Sequence, residues 1–129
     1  MNTDFGLKGS ADVSRSVIGA AFRVANSLGA GFLEKVYENA LAVELRLAGH
    51  EVEQQRPFDV RYRGELVGIY IADLVVDGCL VVELKAVDAL APVHKGQCLN
   101  YLRASSLDTG LLINFGRPRI EIQRILHDH

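Results

Sequence analysis

The spacing of apolar residues indicates two helices in the first part of the chain. Residues 12–28 and about Phe32–Ala48 carry apolar side chains at helical spacing, and glycine follows each run, Gly29 in the first case and Gly49 in the second. The predicted inner side of the second helix consists of Leu33, Val36, Tyr37, Ala40, Leu41 and Leu47. Two helices therefore open the predicted fold.

From His50 onward the pattern changes to an alternation of apolar and polar residues, which is typical of strands. Three strands are predicted: the first contains Val52 and then Phe58, Val60 and Tyr62 among polar neighbours, and the other two cover about Glu65–Val76 and Cys79–Val87. Arg63-Gly64 and Asp77-Gly78 separate them, and both dipeptides are typical of tight turns. This part of the sequence predicts a three-stranded antiparallel meander.

The remaining segments predict one more helix and two more strands. Pro92 opens a helix over about Val93–Ser105, Leu111–Ile113 is a short apolar strand, and Ile120–Ile125 alternates as an edge strand would. The element order α, α, β, β, β, α, β, β predicts an α/β (α+β) fold in which a mixed sheet is flanked by helices. A right-handed crossover through the third helix should bring the last strands beside the meander.

Composition limits the class of protein. The chain has 129 residues, of which 49% are hydrophobic and 23% charged, which predicts one folded domain over residues 1–129. No apolar run is long enough for a membrane span, and the N-terminus lacks the features of a signal peptide, so we expect no membrane and a cytoplasmic location. Cys79 and Cys98 show no paired spacing, which argues against a disulfide or a zinc site.

Three charged residues interrupt the apolar hairpin IADLVVDGCLVVELKAV, namely Asp73, Glu83 and Lys85. Charge in a strand core is costly unless it is paired. Glu83 and Lys85 are two residues apart, so their side chains leave one face of the strand, roughly 6.6 Å apart along it.

The predicted turn brings Asp73 back toward this pair. If Asp77 and Gly78 are the two central turn residues, Val76 opposes Cys79 and Asp73 opposes Val82. Asp73 then lies diagonally next to Glu83 when the hairpin is twisted or bulged.

Two interpretations of this cluster are open. Converging carboxylates repel one another, and a divalent cation holds them together; ligands that are all oxygen favour Mg²⁺ or Mn²⁺. The lysine would then orient or deprotonate a water or neutralise charge in the transition state. The alternative is a buried ion pair between Lys85 and one of the acids, although such pairs stabilise proteins only weakly.

Together with the element order, these residues resemble a known family. Asp73 followed by Glu83-Leu84-Lys85 resembles the motif of the PD-(D/E)xK nuclease superfamily. Within it, GFLEKVY at 31–37 and the later blocks VVELKAV, PVHKGQCLNYL and GLLINFG resemble the GxxExxY family. The resemblance covers residues 12–125. It implies a restriction-endonuclease-like fold with an α-β-β-β-α-β core, to which this chain adds one N-terminal helix.

The resemblance also implies site residues. Asp73 and Glu83 would be metal ligands, the backbone carbonyl of Leu84 would complete the shell, and Lys85 would serve the attacking water. A glutamate of the first core helix, Glu34 or Glu38, joins such sites. A QxxxY element after ExK approaches the metal or the substrate phosphate, and here it would consist of Gln97 and Tyr101. Ala72 departs from the motif's proline, and Ala30 and Ala25 stand where the family has proline and histidine.

Without the family, the same residues have simpler interpretations. Glu34 lies in the first turn of its helix, where a carboxylate favours the helix dipole. Glu38 is four residues away, and it would form a solvated ion pair with Lys35. Tyr101 would be a core residue and Gln97 a surface residue of the third helix.

The sequence therefore predicts a metal-dependent nuclease that uses Mg²⁺ or Mn²⁺ and acts on DNA or RNA. The alternative is a non-catalytic module on the same fold that binds nucleic acid or protein. Because the chain has no obvious recognition domain, a homodimer or a protein partner is expected under either interpretation. The formal charge of −2 limits phosphate contacts to a local surface. The basic residues that would form it are Arg61, Arg63, Lys95, Arg103, Arg117, Arg119 and Arg124.

Overall fold

Three helices and five strands organise residues 9–129, which the computed structural model describes. The elements are α1 (Ser10–Leu28), α2 (Glu34–Leu47), β1 (Val52–Tyr62), β2 (Glu65–Val76), β3 (Leu80–Lys85), α3 (Pro92–Ala104), β4 (Thr109–Asn114) and β5 (Glu121–Leu126). Each element predicted from the sequence is present within a few residues of its predicted bounds. Residues 1–8, on which the prediction of a missing signal peptide partly rested, lie outside the described residues.

The strands form one mixed sheet in the order β1-β2-β3-β4-β5. β3 and β4 are parallel, whereas the other neighbouring pairs are antiparallel. Parallel neighbours require a crossover, and the chain makes it through α3. This arrangement of sheet and helices confirms the predicted α+β architecture, including the additional N-terminal helix.

Each face of the sheet has its own apolar core, because successive side chains of a strand point to opposite faces. α1 and α2 cover one face, where they pack on Leu74, Val82, Leu84 and Ile113. α3 covers the other face with Cys98 and Leu102, which pack against Ala72, Val75 and Val81. The strands β3 and β4 are therefore covered on both faces, which explains their nearly continuous apolar sequences.

The inner face of α2 agrees with the prediction only in part: Tyr37 and Leu41 are buried as predicted. Leu33, Val36 and Leu47 are 80%, 39% and 80% exposed, and the side that packs inward consists of Tyr37, Leu41, Ala42 and Leu45. Both stripes have helical spacing, so periodicity alone could not choose between them. Tyr37 belongs to both stripes and is anchored inward, because its ring stacks on Phe115 at 4.7 Å and its hydroxyl donates to the Gly29 carbonyl at 2.6 Å.

The register of the β2–β3 hairpin also differs from the prediction by one residue. Val76 pairs with Leu80, not with Cys79, so the loop has three residues. Its first residue, Asp77, is held at a φ of 52° by bonds to distant groups: its carboxylate accepts from the Glu51 N–H at 2.8 Å and lies 2.6 Å from His50 Nδ1. A shift of one residue moves side chains to the other face of a sheet. Extended one residue past its last pair, Leu74 with Val82, the observed register brings Asp73 opposite Glu83.

No helix within residues 9–129 combines the length and the apolar character that a membrane span needs.

Candidate active site

β2 and β3 separate at the position of the predicted acids. The backbone pairing of the two strands ends at Leu74 and Val82. Beyond it, the Asp73 N–H donates to Glu83 Oε2 at 2.8 Å, and the Leu84 N–H donates to Asp73 Oδ2 at 2.8 Å. Each carboxylate thus replaces a backbone acceptor of the neighbouring strand. We call this position the fork.

The fork concentrates negative charge in a buried place. Glu83 is only 5% exposed, and burial together with the charge of Asp73 raises its pKa to about 8. Burial also raises the pKa of Asp73, while the hydrogen bond from Leu84 opposes the increase. Ionisation of both carboxyl groups is therefore unfavourable here, and a cation nearby would favour it.

Glu34 adds a third carboxylate from α2. Burial raises its pKa, and Asp73 contributes further in the same direction, whereas Lys85 lowers it. Glu34 therefore interacts electrostatically with the fork, but it does not form a group of three metal ligands with Asp73 and Glu83 within residues 9–129. Its location at a helix start is also compatible with the simpler dipole interpretation.

Glu38 lies one turn further along and has its own partners. It is 3% exposed and accepts from Lys35 Nζ at 3.1 Å, Gln54 Nε2 at 2.8 Å and Gln55 Nε2 at 2.8 Å. The ion pair with Lys35 that the sequence suggested is present, but the carboxylate is buried and not solvated.

Gln55 is a residue of this site that the sequence reasoning missed. Its amide nitrogen donates to Glu38 at 2.8 Å and to Asp73 Oδ1 at 3.3 Å, which links α2 to the fork. The backbone of Gln55 has a φ of 54°, which is uncommon for a residue other than glycine. The available signal was the pair Gln54-Gln55, which breaks the alternation of the first strand.

Lys85, Gln97 and Tyr101 line one open groove beside the fork. Its volume is about 390 Å³, and Ile69, Tyr70 and Ile71 of β2 form its other side. Burial raises the pKa of the Tyr101 phenol, and so do the charges of Glu83 and Asp73 and a hydrogen bond to Glu83. The QxxxY pair and the ExK lysine are therefore brought together, with Gln97 exposed and Tyr101 half-buried.

Lys85 affects the acids without forming a direct ion pair. Its charge lowers the pKa of Glu34, Asp73 and Glu83. None of the ion pairs within residues 9–129 joins it to Asp73 or Glu83. The interpretation of the cluster as a simple buried salt bridge thus lacks its central contact.

The donors at the fork fit a hard divalent cation. They are the two carboxylates, which repel each other, and the carbonyl of Leu84. The Leu84 N–H points to Asp73. Because the N–H and C=O of one strand residue face the same side, the Leu84 carbonyl faces the fork as well. No three His, Cys, Asp or Glu side chains between residues 9 and 129 are grouped as metal ligands. Mg²⁺ is commonly held by only one or two carboxylates, with water and substrate phosphate completing the shell.

A second polar cluster has the bonding order of a serine hydrolase triad. Ser16 Oγ lies 2.6 Å from His50 Nε2, and His50 Nδ1 lies 2.6 Å from Asp77. Ser16 is in the middle of α1, however, where the surrounding N–H groups are bonded within the helix and cannot stabilise an oxyanion. This cluster holds the β2–β3 turn against α1.

Comparisons with known proteins agree with this geometry. A family model described as the PD-(D/E)XK nuclease superfamily matches residues 11–125, a range that includes all the predicted site residues. A solved structure titled "Crystal structure of SSO0001" is similar in fold, with a TM-score of 0.56 and 22% sequence identity. The match covers 74% of this chain and 50% of that one, so this chain spans about half the length of that protein. No curated protein matches the chain.

Proposed function

This chain belongs to the PD-(D/E)XK nuclease superfamily, and we propose that it is a metal-dependent nuclease that hydrolyses phosphodiester bonds of DNA or RNA. The observation that carries the proposal is the fork, where Asp73 and Glu83 face each other beside a groove that contains Lys85. Stability gives no reason to bury two mutually repelling carboxylates there. A cation and a phosphate substrate do give such a reason.

Nucleases of this superfamily generally use divalent metal ions. In this chain Asp73, Glu83 and the Leu84 carbonyl would hold Mg²⁺ or Mn²⁺. When bound, the ion supplies positive charge that stabilises the charge developing on the phosphate. Of the two helix glutamates we propose Glu34 as a further ligand, because the oxygens of Glu38 already accept three hydrogen bonds. The prediction of Glu38 as a ligand stays untested.

The groove residues would act on the substrate itself. Lys85 carries an ammonium group that can orient or deprotonate the attacking water or neutralise charge on the phosphate. Gln97 and Tyr101 present an amide and a hydroxyl to the same groove, where they would position the phosphate. The reaction requires these groups to lie close to the carboxylates that would hold the metal ion.

Cleavage assays test the proposal. With Mg²⁺ or Mn²⁺, the purified protein should nick or degrade members of a panel of single- and double-stranded DNA and RNA. Asp73→Ala and Lys85→Ala should each reduce the rate at least about 100-fold while circular dichroism shows the fold intact. Arg15→Ala, which removes an exposed positive charge from α1, is the matched control. An intact panel, or a Lys85→Ala protein that cuts at the wild-type rate, would refute the proposal.

The alternative, a non-catalytic module that binds nucleic acid or protein, is not favoured by membership of a nuclease superfamily. Four finer expectations stay predictions: membership of the GxxExxY family, a single domain over residues 1–129, a cytoplasmic location, and a homodimer or protein partner. Exposed apolar residues along the outer side of α2 support the last of these, because such surfaces mark interaction sites. Light scattering that finds only monomers would contradict the homodimer.

A further inference from the structure

A second groove continues from the candidate active site. Its volume is about 320 Å³, and Tyr70 lines both this groove and the one that contains Lys85. Its other lining residues include Asp59, Arg61, Asn100, Arg103 and Ala104. We call it the ribbon groove. The two grooves together form a path that leads from the fork along α3.

The walls of the ribbon groove are a helix and a projecting pair of strands. On α3, Gln97, Asn100, Tyr101 and Ala104 share one stripe, because residues three and four apart lie on the same helix face. The opposite wall is the ribbon formed by residues 57–71 of β1 and β2, which extends past the point where β3 separates. The Tyr70 ring contacts the Tyr101 ring at a centroid distance of 5.3 Å and closes the floor between the walls.

Positive charge stands on both walls. Arg103 donates to Asn100 Oδ1 at 3.1 Å and belongs to none of the ion pairs found within residues 9–129. Arg61 pairs with Asp59 at 3.3 Å, but both side chains are more than half exposed, so the pair is weak. Two guanidinium groups therefore face a groove with one carboxylate, and guanidinium groups bind phosphate in a bidentate way.

The groove also offers an aromatic ring. Tyr70 is 38% exposed although it contacts Tyr101 edge to face, so part of the ring remains open to a ligand. Grooves that combine basic side chains with aromatic rings are typical of proteins that bind single strands, because an unstacked base can lie on the ring. In a duplex the bases are stacked on each other and are not available to Tyr70.

We infer that the ribbon groove binds a single-stranded segment of nucleic acid next to the phosphate that is cut at the fork. Arg61 and Arg103 contact its backbone, and Tyr70 contacts a base. The inference rests on the proposed nuclease function and adds the substrate class to it: a single strand, or a duplex end that has opened.

Binding measured by fluorescence anisotropy tests the inference. The probes are DNA and RNA single strands of about 12 nucleotides and the corresponding duplex. The protein carries Lys85→Ala so that the strands stay intact. Adding Arg61→Ala or Arg103→Ala should weaken single-strand binding about tenfold each. Each should also reduce the salt dependence of log K by about 0.7, the effect of one lost phosphate contact.

Two further variants make the test specific. Arg15→Ala removes an equally charged, exposed side chain from α1, on the opposite face of the sheet, and should leave binding unchanged. Ala104→Phe adds bulk to the groove without changing charge and should weaken binding as the arginine variants do. Thermal melting verifies that each variant is folded.

The outcomes separate this inference from the proposed function. If the Arg61 and Arg103 variants bind like Arg15→Ala, or if the duplex binds as tightly as the single strands, the ribbon groove is not a single-strand site, whether or not the wild type cuts. If the arginine variants lose binding but no nucleic acid is cut by the wild type, the groove stands as a binding site and the nuclease proposal fails.

Discussion

Glu83 is the residue in which the conflict between fold and function is strongest. It lies in a strand covered on both faces, where its neighbours are apolar, and its carboxylate is held against the Asp73 backbone. An apolar residue at this position would cost the fold less. The proposed function accounts for this cost, because Asp73 and Glu83 would together hold a cation at the fork.

The pKa of Glu83 predicts how the stability of the metal-free protein depends on pH. Its pKa rises from an ordinary value of 4.5 to about 8 in the folded state, so the native state binds more protons than the unfolded state between these values. Stability should therefore fall as pH rises from about 5 to 8. Urea unfolding at several pH values in the presence of a chelator measures this slope.

Glu83→Gln is the control, because it keeps the shape of the side chain without the charge. It should be more stable than the wild type at pH 8 by roughly 2 to 4 kcal/mol, and the difference should disappear near pH 5. Equal stability of the two proteins at pH 8 would show that Glu83 ionises freely.

At the scale of elements, the end of β4 is fixed to the segment after β3 by a buried asparagine. Asn114 Oδ1 accepts from the N–H groups of Val87 and Gly116 at 3.0 and 2.9 Å, and its amide donates to the Val87 carbonyl at 2.9 Å. Gly116 lies so close to this segment that a Cβ would stand 2.2 Å from the Val87 carbonyl oxygen. These contacts connect the strand that carries Glu83 and Lys85 to the rest of the sheet.

Substitution of two glycines should therefore have opposite effects. The added Cβ of Gly116→Ala would push the backbone at Gly116 away from the segment at Val87. The substitution should therefore destabilise the protein by roughly 2 to 4 kcal/mol. Gly96→Ala, in the interior of α3 with nothing within 4 Å of the added Cβ, should stabilise it by roughly 0.5 to 1 kcal/mol. Thermal melting compares both with the wild type. A Gly116→Ala protein that melts at the wild-type temperature would show that this contact is looser than described.

At the scale of the whole molecule, the fork joins parts of the chain that are far apart in sequence. α2 contributes Glu34, β1 contributes Gln55, and the β2–β3 hairpin contributes the central acids. A cation at the fork would relieve repulsion among elements from both halves of the protein, and it should therefore stabilise the fold as a unit.

Manganese should raise the melting temperature of the wild type. A ligand that binds only the native state at one hundred times its Kd stabilises it by about 2.7 kcal/mol. Calorimetric titration measures the same binding directly. Glu83→Ala should show neither the shift nor the heat, whereas Asp12→Asn, which removes an exposed acid of α1, should behave like the wild type. If wild type and Glu83→Ala respond alike, the ion does not bind at the fork.

The sequence by itself determined the elements and named the candidate site residues. Helical and alternating periodicities predicted α1 to α3 and β1 to β5 in order, because these periods are local properties of the chain. The spacing of Glu83 and Lys85 predicted a shared strand face, and the motif indicated the superfamily that the family model shows. Gln97 and Tyr101 were named through the resemblance, as its QxxxY element, whereas the local pattern alone predicted a surface residue and a core residue.

The tertiary structure decided what local patterns leave open. The hairpin register depends on Asp77, whose conformation is held by His50 and Glu51 from a different part of the chain. Likewise, the packing of α2 on the sheet decided that Ala42 and Leu45 join Tyr37 on the buried side of this helix. Gln55 entered the site because a distorted backbone turns its amide toward Asp73 and Glu38. Each of these features depends on contacts between residues distant in sequence, which periodicity does not encode.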